Sequence, residues 1–227
     1  MALVDVTDIA RTYTQGTHEV HALRGVDLKI EPGELVALMG PSGSGKTTLL
    51  NLIGGLDTPS TGTIQIEGTD IGSLSGGDLS DLRRDRVGFV FQAYNLVPVL
   101  SAAENAEMVL VLRGDDPKAR RDKAMKTLAE VGLAGKEGRR PAELSGGEQQ
   151  RVAVARAITG EPALVLADEP TANLDSTTGT ELIALMRKLN QDKGITFIFA
   201  THDPKVMDAA DRVVKMVDGK IVDDQRQ

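Results

Sequence analysis

The chain has no cysteine. That excludes a disulfide framework and a thiolate metal site, and it fits a reducing compartment. There is no excess of basic charge either: 26 Lys and Arg stand against 33 Asp and Glu, a formal net charge of −7. A dedicated nucleic-acid binder carries a basic field, so no nucleic-acid partner is expected. No apolar run approaches the ~18 residues of a membrane span. The opening residues Met1-Ala2-Leu3-Val4-Asp5-Val6 lack a basic segment and carry an early acid, so no signal peptide is expected. These absences point to the cytoplasm, with any membrane attachment supplied by another chain. Internal repeats and low-complexity tracts are missing as well. What remains is ordinary globular material, 41% hydrophobic and 26% charged over 227 residues, enough for one large domain or two small ones.

The most informative stretch is Gly40-Pro41-Ser42-Gly43-Ser44-Gly45-Lys46-Thr47, which fits the phosphate-cradling pattern G-x-x-x-x-G-K-[ST]. Leu35 to Met39, after the turn signal Glu31-Pro32-Gly33-Glu34, is a short apolar run that reads as a buried strand. Thr48 to Ile53 reads as the first turns of a helix, stopped by Gly54-Gly55. Strand, glycine loop and helix are what phosphate binding needs. Glycines let backbone N–H groups turn towards phosphate oxygens, and the helix points its unpaired N–H groups and positive dipole end at the same anion. Lys46 adds a charge near the β- and γ-phosphates, and the Thr47 hydroxyl is placed for Mg²⁺.

Around this loop the chain alternates between strand and helix patterns. Residues 3–9 and 20–30 alternate apolar and polar side chains, with Val20, Ala22, Val26, Leu28 and Ile30 on the apolar face. Thr12 to Thr17 reads as a turn-like link between them. Strands are also expected at Thr63–Glu67, Val87–Phe91, Ala163–Ala167 and Ile195–Ala200, and helices at Asp78–Arg84 and Thr178–Asp192. Ala102 to Thr159 is helical in pattern, broken near Gly114–Pro117 and Gly132–Pro141, and no Gly-, Ser- or Pro-rich linker flanks it. It reads as a helical insertion in an α/β core. Asp218-Gly219 between two apolar runs is a hairpin signal.

Two further places carry chemistry. The strand at 163–167 ends in Asp168-Glu169. An acid at the end of a buried strand beside the phosphate loop can reach a Mg²⁺ shell, which is the place of Asp168, and Glu169 can align or deprotonate an attacking water. Leu144-Ser145-Gly146-Gly147-Glu148 opens a helix through a Ser145–Glu148 capping box. Its glycines leave the helix start bare enough for a second anion contact. Leu74-Ser75-Gly76-Gly77-Asp78 looks alike but lacks the Gln-Gln-Arg that follows Glu148, and reads as an ordinary helix cap. His18 and His21 read as solvated strand-edge residues, since no third ligand is near in sequence. Met108, Met125, Met186 and Met207 read as helix packing.

The order Gly40–Thr47, Gln92, Leu144-Ser145-Gly146-Gly147, Asp168-Glu169, Asn173-Leu174-Asp175 and His202 resembles the ATP-binding subunit of an ABC transporter over essentially the whole chain. The resemblance implies a P-loop NTPase α/β core with an antiparallel β subdomain and an inserted helical subdomain. Residues 1–227 would form one ATPase domain, with the core at about 1–91 and 162–227 and the helical part at about 93–160. It implies ATP and Mg²⁺ as cofactors and a head-to-tail homodimer that clamps each ATP between one subunit's P-loop and the other's signature loop. ATP would be bound by Gly40, Pro41, Ser42, Gly43, Ser44, Gly45, Lys46, Thr47 and Thr48, with Tyr13 stacking on adenine. From the opposite subunit would come Ser145, Gly146, Gly147 and Glu148, and Asp175 would lie at the dimer interface. Mg²⁺ would be held by Thr47, Gln92 and Asp168, and catalysis carried by Glu169, His202, Lys46 and Gln92. The family usually has glutamine where this chain has Glu148, which puts a negative charge near the partner's ATP.

The stretch Arg83 to Pro98, with Ala103-Glu104-Asn105 and Ala200-Thr201-His202-Asp203-Pro204, is similar to the bacterial lipoprotein-releasing and macrolide-export ATPases and their cell-division relatives. That likeness implies a separate permease, peripheral association with the cytoplasmic face of the inner membrane, and a lipoprotein, peptide or hydrophobic compound as cargo. The permease would dock near Gln92 and residues 93–105, with Tyr94, Leu96 and Val97 as exposed anchors. The alternative is the ATPase of a non-transporting complex that regulates cell-wall or division machinery.

Overall fold

The computed structural model describes residues 1–16 and 18–227. The strands are β1 (Val4–Gln15), β2 (His18–Ile30), β3 (Leu35–Met39), β4 (Thr61–Ile66), β5 (Thr69–Asp70), β6 (Val87–Val90), β7 (Leu164–Asp168), β8 (Thr196–Thr201), β9 (Arg212–Val217) and β10 (Lys220–Arg226). The helices are α1 (Lys46–Ile53), α2 (Gly76–Arg86), α3 (Ala102–Arg113), α4 (Pro117–Glu130), α5 (Gly146–Ile158), α6 (Ser176–Lys193) and α7 (Pro204–Ala209). Four strands form an antiparallel sheet in the order β2-β1-β4-β5. Six form the central sheet in the order β10-β9-β3-β8-β7-β6, parallel except for the edge strand β10.

The two-residue period of the central strands sorts their side chains between two cores. Val36, Leu38, Leu164, Leu166, Ile198 and Ala200 face one way, into a cluster with α1 and the apolar face of β1, β2 and β4. Leu35, Ala37, Val165, Ala167, Phe197 and Phe199 face the other, into a cluster with α3 to α6 and Val206 of α7. The chain is therefore α/β, as expected, with an antiparallel sheet on one side of the parallel one and helices on the other. Caps end the helices where the sequence signals them. Ser101 and Ser145 each close a capping box, and Asp116 precedes Pro117 at the start of α4. Asp218 and Gly219 both have positive φ (49° and 77°), the geometry of a tight hairpin turn.

Some expectations differ from what is found. The link expected at Thr12–Thr17 is strand as far as Gln15, paired with His18 to His21, and Thr17 lies outside the described residues. The alternation along β2 holds for Val26, Leu28 and Ile30, but upstream Val20 is exposed, Ala22 half-buried and Leu23 buried. Register shifts in the β1–β2 pairing are the reason, since each displaced residue swaps which side chain faces the core. The short helix α7 was not foreseen. Of the methionines read as packing, Met186 is buried and Met207 packs on the core, whereas Met125 is exposed and Met108 lines a surface groove.

Candidate active site

Three connections leave the C-terminal ends of neighbouring central strands β3, β7 and β8, where open parallel sheets place their ligands. The loop after β3 turns directly into α1. Gly45, the residue before the helix, has φ of 101°, a conformation that favours glycine. A Cβ there would also stand 2.7 Å from the Ala22 carbonyl and 2.8 Å from Leu23. A Cβ on Gly40 would overlap the Met216 carbonyl. The loop thus rests on β2 and on the β9–β10 hairpin, whose Gly219 N–H donates to the Ser44 carbonyl (3.1 Å). Lys46 is only 7% exposed, and its ammonium donates to the Gly40 (2.7 Å) and Pro41 (3.0 Å) carbonyls. Those acceptors are neutral, and a phosphate would bind the ammonium more strongly.

From β7 comes Asp168, whose Oδ1 accepts from the Thr47 hydroxyl at 3.0 Å. Burial holds the Asp168 carboxyl above its usual range, and the neighbouring Glu169 adds to this, against the Thr47 hydroxyl and the Lys46 charge. Two oxygen donors, one of them a desolvated carboxylate, are what a hard divalent cation takes, so the residues fit Mg²⁺. Glu169 follows with φ of 45°, unusual for a residue with a side chain. Its N–H donates to the Ala200 carbonyl (2.8 Å), which fixes the turn to β8.

From β8 come Thr201 and His202. The Thr201 hydroxyl donates to Glu169 Oε2 (3.1 Å), and His202 Nδ1 lies 2.8 Å from Glu169 Oε1. Beside a carboxylate, Nδ1 is the donor of this contact, on a ring that is 74% exposed. The turn that follows is capped by Asp203, not His202. Gln92 lies just past β6, its carbonyl accepting from Asn173 Nδ2 (2.8 Å).

Tyr13, Pro41, Ser42, Gly43, Ser44, Gly45, Lys46, Thr47, Thr48, Gln92, Asp168, Glu169 and His202 line one cleft of about 740 Å³, within the size range of small-molecule sites. Val20, His21, Ala22 and Ala172 complete it. The second loop, Ser145 to Glu148, and Asp175 do not line this cleft. Ser145 caps α5, accepting from the Glu148 N–H (3.3 Å), and the Glu148 carboxylate accepts from the Ser145 N–H (3.0 Å) and pairs with Lys136. Gly146 and Gly147 are crowded: a Cβ on Gly147 would overlap the Thr178 methyl, and one on Gly146 would stand 3.0 Å from the Tyr94 hydroxyl. Asp175 caps α6 through the Thr177 and Thr178 N–H groups, 3.0 Å each. The look-alike at Leu74–Asp78 differs in this respect. Ser75 caps α2, and nothing but the Ser75 hydroxyl comes within 4 Å of a Cβ on Gly76 or Gly77.

Sequence reasoning passed over the residues that hold these groups in place. Thr201 supports Glu169, and nothing in its local pattern marks it. Gln150, fully buried on α5, donates to the Pro170 carbonyl (2.8 Å) and the Phe91 carbonyl (3.4 Å), joining the segments after β6 and β7. A signal existed here, because Gln150 shares the apolar face of Ala153, Val154 and Ala157. Arg156 donates to the carbonyls of Tyr94 and Asn95, both at positive φ. Asn105 in turn holds Val97, accepting from its N–H (2.8 Å) and donating to its carbonyl (3.2 Å). Tyr94, Leu96 and Val97 are half-buried and not the exposed anchors expected; the large apolar side chain exposed in this segment is Val99. An apolar groove reached by Asn95 of this segment is lined by Phe89, Phe91, Met108, Val109 and Leu112.

Comparison with known proteins adds an independent line. The family model described as ABC transporter matches residues 23–172. The lipoprotein-releasing system ATP-binding protein LolD of Syntrophotalea carbinolica is 44% identical over 221 residues, covering 97% of each chain. The macrolide export ATP-binding/permease protein MacB of Rhodopirellula baltica is 46% identical over 228 residues, 99% of this chain. The chain spans 33% of that protein's length. Among solved structures, the dimeric post-hydrolysis state of the ATP-binding cassette MJ0796 bound to ADP and Pi has a TM-score of 0.91 at 40% identity, with 98% of both chains covered.

Proposed function

The chain belongs to the ABC transporter family and is one of its ATPase domains; from that premise we propose that it drives a membrane permease by closing and opening as a homodimer around two ATP molecules. The observation that carries this reading is the separation of the two anion-binding loops. The cleft of Tyr13, the P-loop, Gln92, Asp168, Glu169 and His202 is open, and the Ser145–Glu148 loop does not line it. A nucleotide in the cleft is enclosed only when a second copy brings its Ser145, Gly146 and Gly147 to the other side, with Asp175 at the junction.

In this reading Gly40 to Thr48 bind the triphosphate and Tyr13 stacks on the adenine. Thr47, Asp168 and Gln92 would hold Mg²⁺, which supplies charge neutralisation on the phosphates. Glu169, held by Thr201 and His202, takes the proton from the attacking water. Lys46 and His202 stabilise the charge that develops on the transferred phosphoryl group. The helical segment at about 93–160, set between the core at about 1–91 and 162–227, carries the motion to the permease. The permease docks on the groove of Phe89, Met108 and Leu112. The lipoprotein and macrolide relatives support a lipoprotein, peptide or hydrophobic compound as cargo, and association with the cytoplasmic face of the membrane through the permease. Among the described residues no helix is long and apolar enough to cross a membrane.

The test is Glu169→Gln. The amide keeps the size of the side chain and cannot take the proton, so turnover should fall by about 10²–10⁴-fold. ATP binding should persist, and light scattering should report a stable dimer in ATP. Full ATPase activity in this variant would remove Glu169 from the role.

A further inference from the structure

The ring of Tyr13 is gripped from behind. Arg11 and Tyr13 lie two residues apart on β1 and so on the same face of its sheet. The Arg11 guanidinium sits over the Tyr13 ring, 4.6 Å from its centre. The same guanidinium makes a two-pronged pair with Asp57, through Nε (3.0 Å) and Nη2 (2.7 Å). The Tyr13 hydroxyl donates to the same carboxylate at 2.7 Å. Asp57 is itself fixed, accepting from the Thr58 N–H at 2.7 Å. Its segment is stitched to β1 through Ser60, whose N–H donates to the Ala10 carbonyl (2.8 Å) and whose hydroxyl accepts from the Thr12 N–H (3.1 Å). Neither Arg11 nor Asp57 lines the cleft, whereas Tyr13, Val20 and His21 do.

We propose that Arg11 and Asp57 are positioning residues for recognition of the nucleotide base: they lock the Tyr13 ring in one orientation, cover one of its faces, and leave the other as a fixed platform for the base. An unheld tyrosine, 37% exposed, would sample several orientations and lose them when a base stacks on it. A ring already fixed by a charge-assisted hydrogen bond and a cation on its rear face gives up much less on binding. The inference rests on the reading of Tyr13 as the base-stacking residue, and the experiment separates the two.

The experiment is titration calorimetry of the purified chain with ADP and with inorganic pyrophosphate, in wild type, Tyr13→Phe, Arg11→Met and Tyr13→Ala. Asp57 is left intact because it also holds the Thr58 N–H. Tyr13→Phe keeps the ring and removes its tether, and Arg11→Met keeps the stem and removes the cation. Each should weaken ADP by about 3- to 10-fold, the equivalent of one side chain ordered on binding, and Tyr13→Ala should weaken it further. Pyrophosphate has no base and should bind all four proteins alike. If Tyr13→Ala loses ADP affinity while Tyr13→Phe and Arg11→Met match wild type, the ring stacks but the clamp is refuted. Wild-type ADP affinity in Tyr13→Ala overturns the stacking and the clamp together. Equal losses for ADP and pyrophosphate would make Arg11 a general support of the loop and also refute the proposal.

Discussion

Replacing Lys136 by methionine tests how the chain tolerates an acid at the start of α5. One Glu148 oxygen accepts from the Ser145 N–H and the other pairs with Lys136. The Lys136 ammonium first, and the Ser145 N–H second, hold the Glu148 carboxyl below its usual range. It is therefore charged at neutral pH, and the charge is cancelled within the same subunit. Methionine keeps the apolar stem and removes only the cancellation. The two side chains are 36% and 24% exposed, so the pair ranks with solvent-screened bridges, worth about 0.5–1 kcal/mol. For a chain of this size that is roughly 1–4 °C in Tm. Because the folded pKa is the lower one, this contribution is complete above the ordinary carboxylate pKa and lost as pH falls through the folded value. The Tm gap between wild type and Lys136→Met should accordingly narrow as pH falls below the ordinary carboxylate range. A second effect appears only in the dimer. An uncancelled charge at about one Debye length, ~8 Å, from a second negative charge, at an effective dielectric of about 40, costs about 1 kcal/mol before salt screening. Screening at physiological ionic strength leaves roughly a third to a half of that. With two sites per dimer, the protein concentration giving half-maximal ATPase activity should rise about 3- to 5-fold. ATPase activity per subunit, measured against protein concentration at low and high salt, reads this directly. The shift should shrink at high salt and vanish in Lys136→Met/Glu148→Gln. An unshifted curve at low salt, or a shift that Glu148→Gln fails to relieve, would refute the placement of Glu148 opposite the partner's nucleotide.

Two glycine substitutions test the packing of α5, and a third, in the look-alike loop, is their control. In Gly147→Ala the new methyl collides with Thr178, so ATPase activity should fall sharply while ADP binding by the monomer stays normal, because Gly147 does not line the cleft. Gly77→Ala, in the look-alike loop where there is space, should change neither; a loss of activity there would mean the wrong loop had been assigned. In Gly88→Ala the methyl on β6 overlaps the Ala157 carbonyl of α5, which should cost about 1–3 kcal/mol. Thermal unfolding should show a Tm several degrees lower, and an unchanged Tm would mean that α5 can back away from the sheet.

The parts of the site legible in the sequence are those whose chemistry is written in consecutive residues. The P-loop needs its glycines, its lysine and its threonine at fixed spacing, and Asp168-Glu169 closes an apolar strand. The capping box at Ser145 is equally plain, but its glycines are crowded by Thr178 and Tyr94, both distant in sequence, while those at Gly76-Gly77 are open. The contacts between distant residues were not legible. Thr201 on Glu169, Asn173 on Gln92, and Asp57 on Tyr13 and Arg11 join segments that no local pattern connects. Register in β1 and β2 was missed for a related reason. Residue spacing gives the period of a strand, but bulges reset which side chain faces inwards, and they are set by pairing with the neighbouring strand. The backbone at Tyr94 and Asn95 is held by Arg156, sixty-odd residues downstream.

The P-loop leans on the β9–β10 hairpin, and β3, which carries it, pairs with β8 and β9: Val36 sits beside Ile198 and Arg212. A ribosome delivers β3 long before either neighbour. Until then both edges of a wholly apolar strand stay unpaired, an invitation to aggregate that nascent chains meet with chaperones or delay. Pairings so far apart in sequence also form slowly. The strand most exposed to misfolding is thus the one that leads into the phosphate loop. A nascent or C-terminally clipped chain still has β2 beneath that loop but lacks the hairpin on its other side, so the loop is held from both sides only once the sheet is complete.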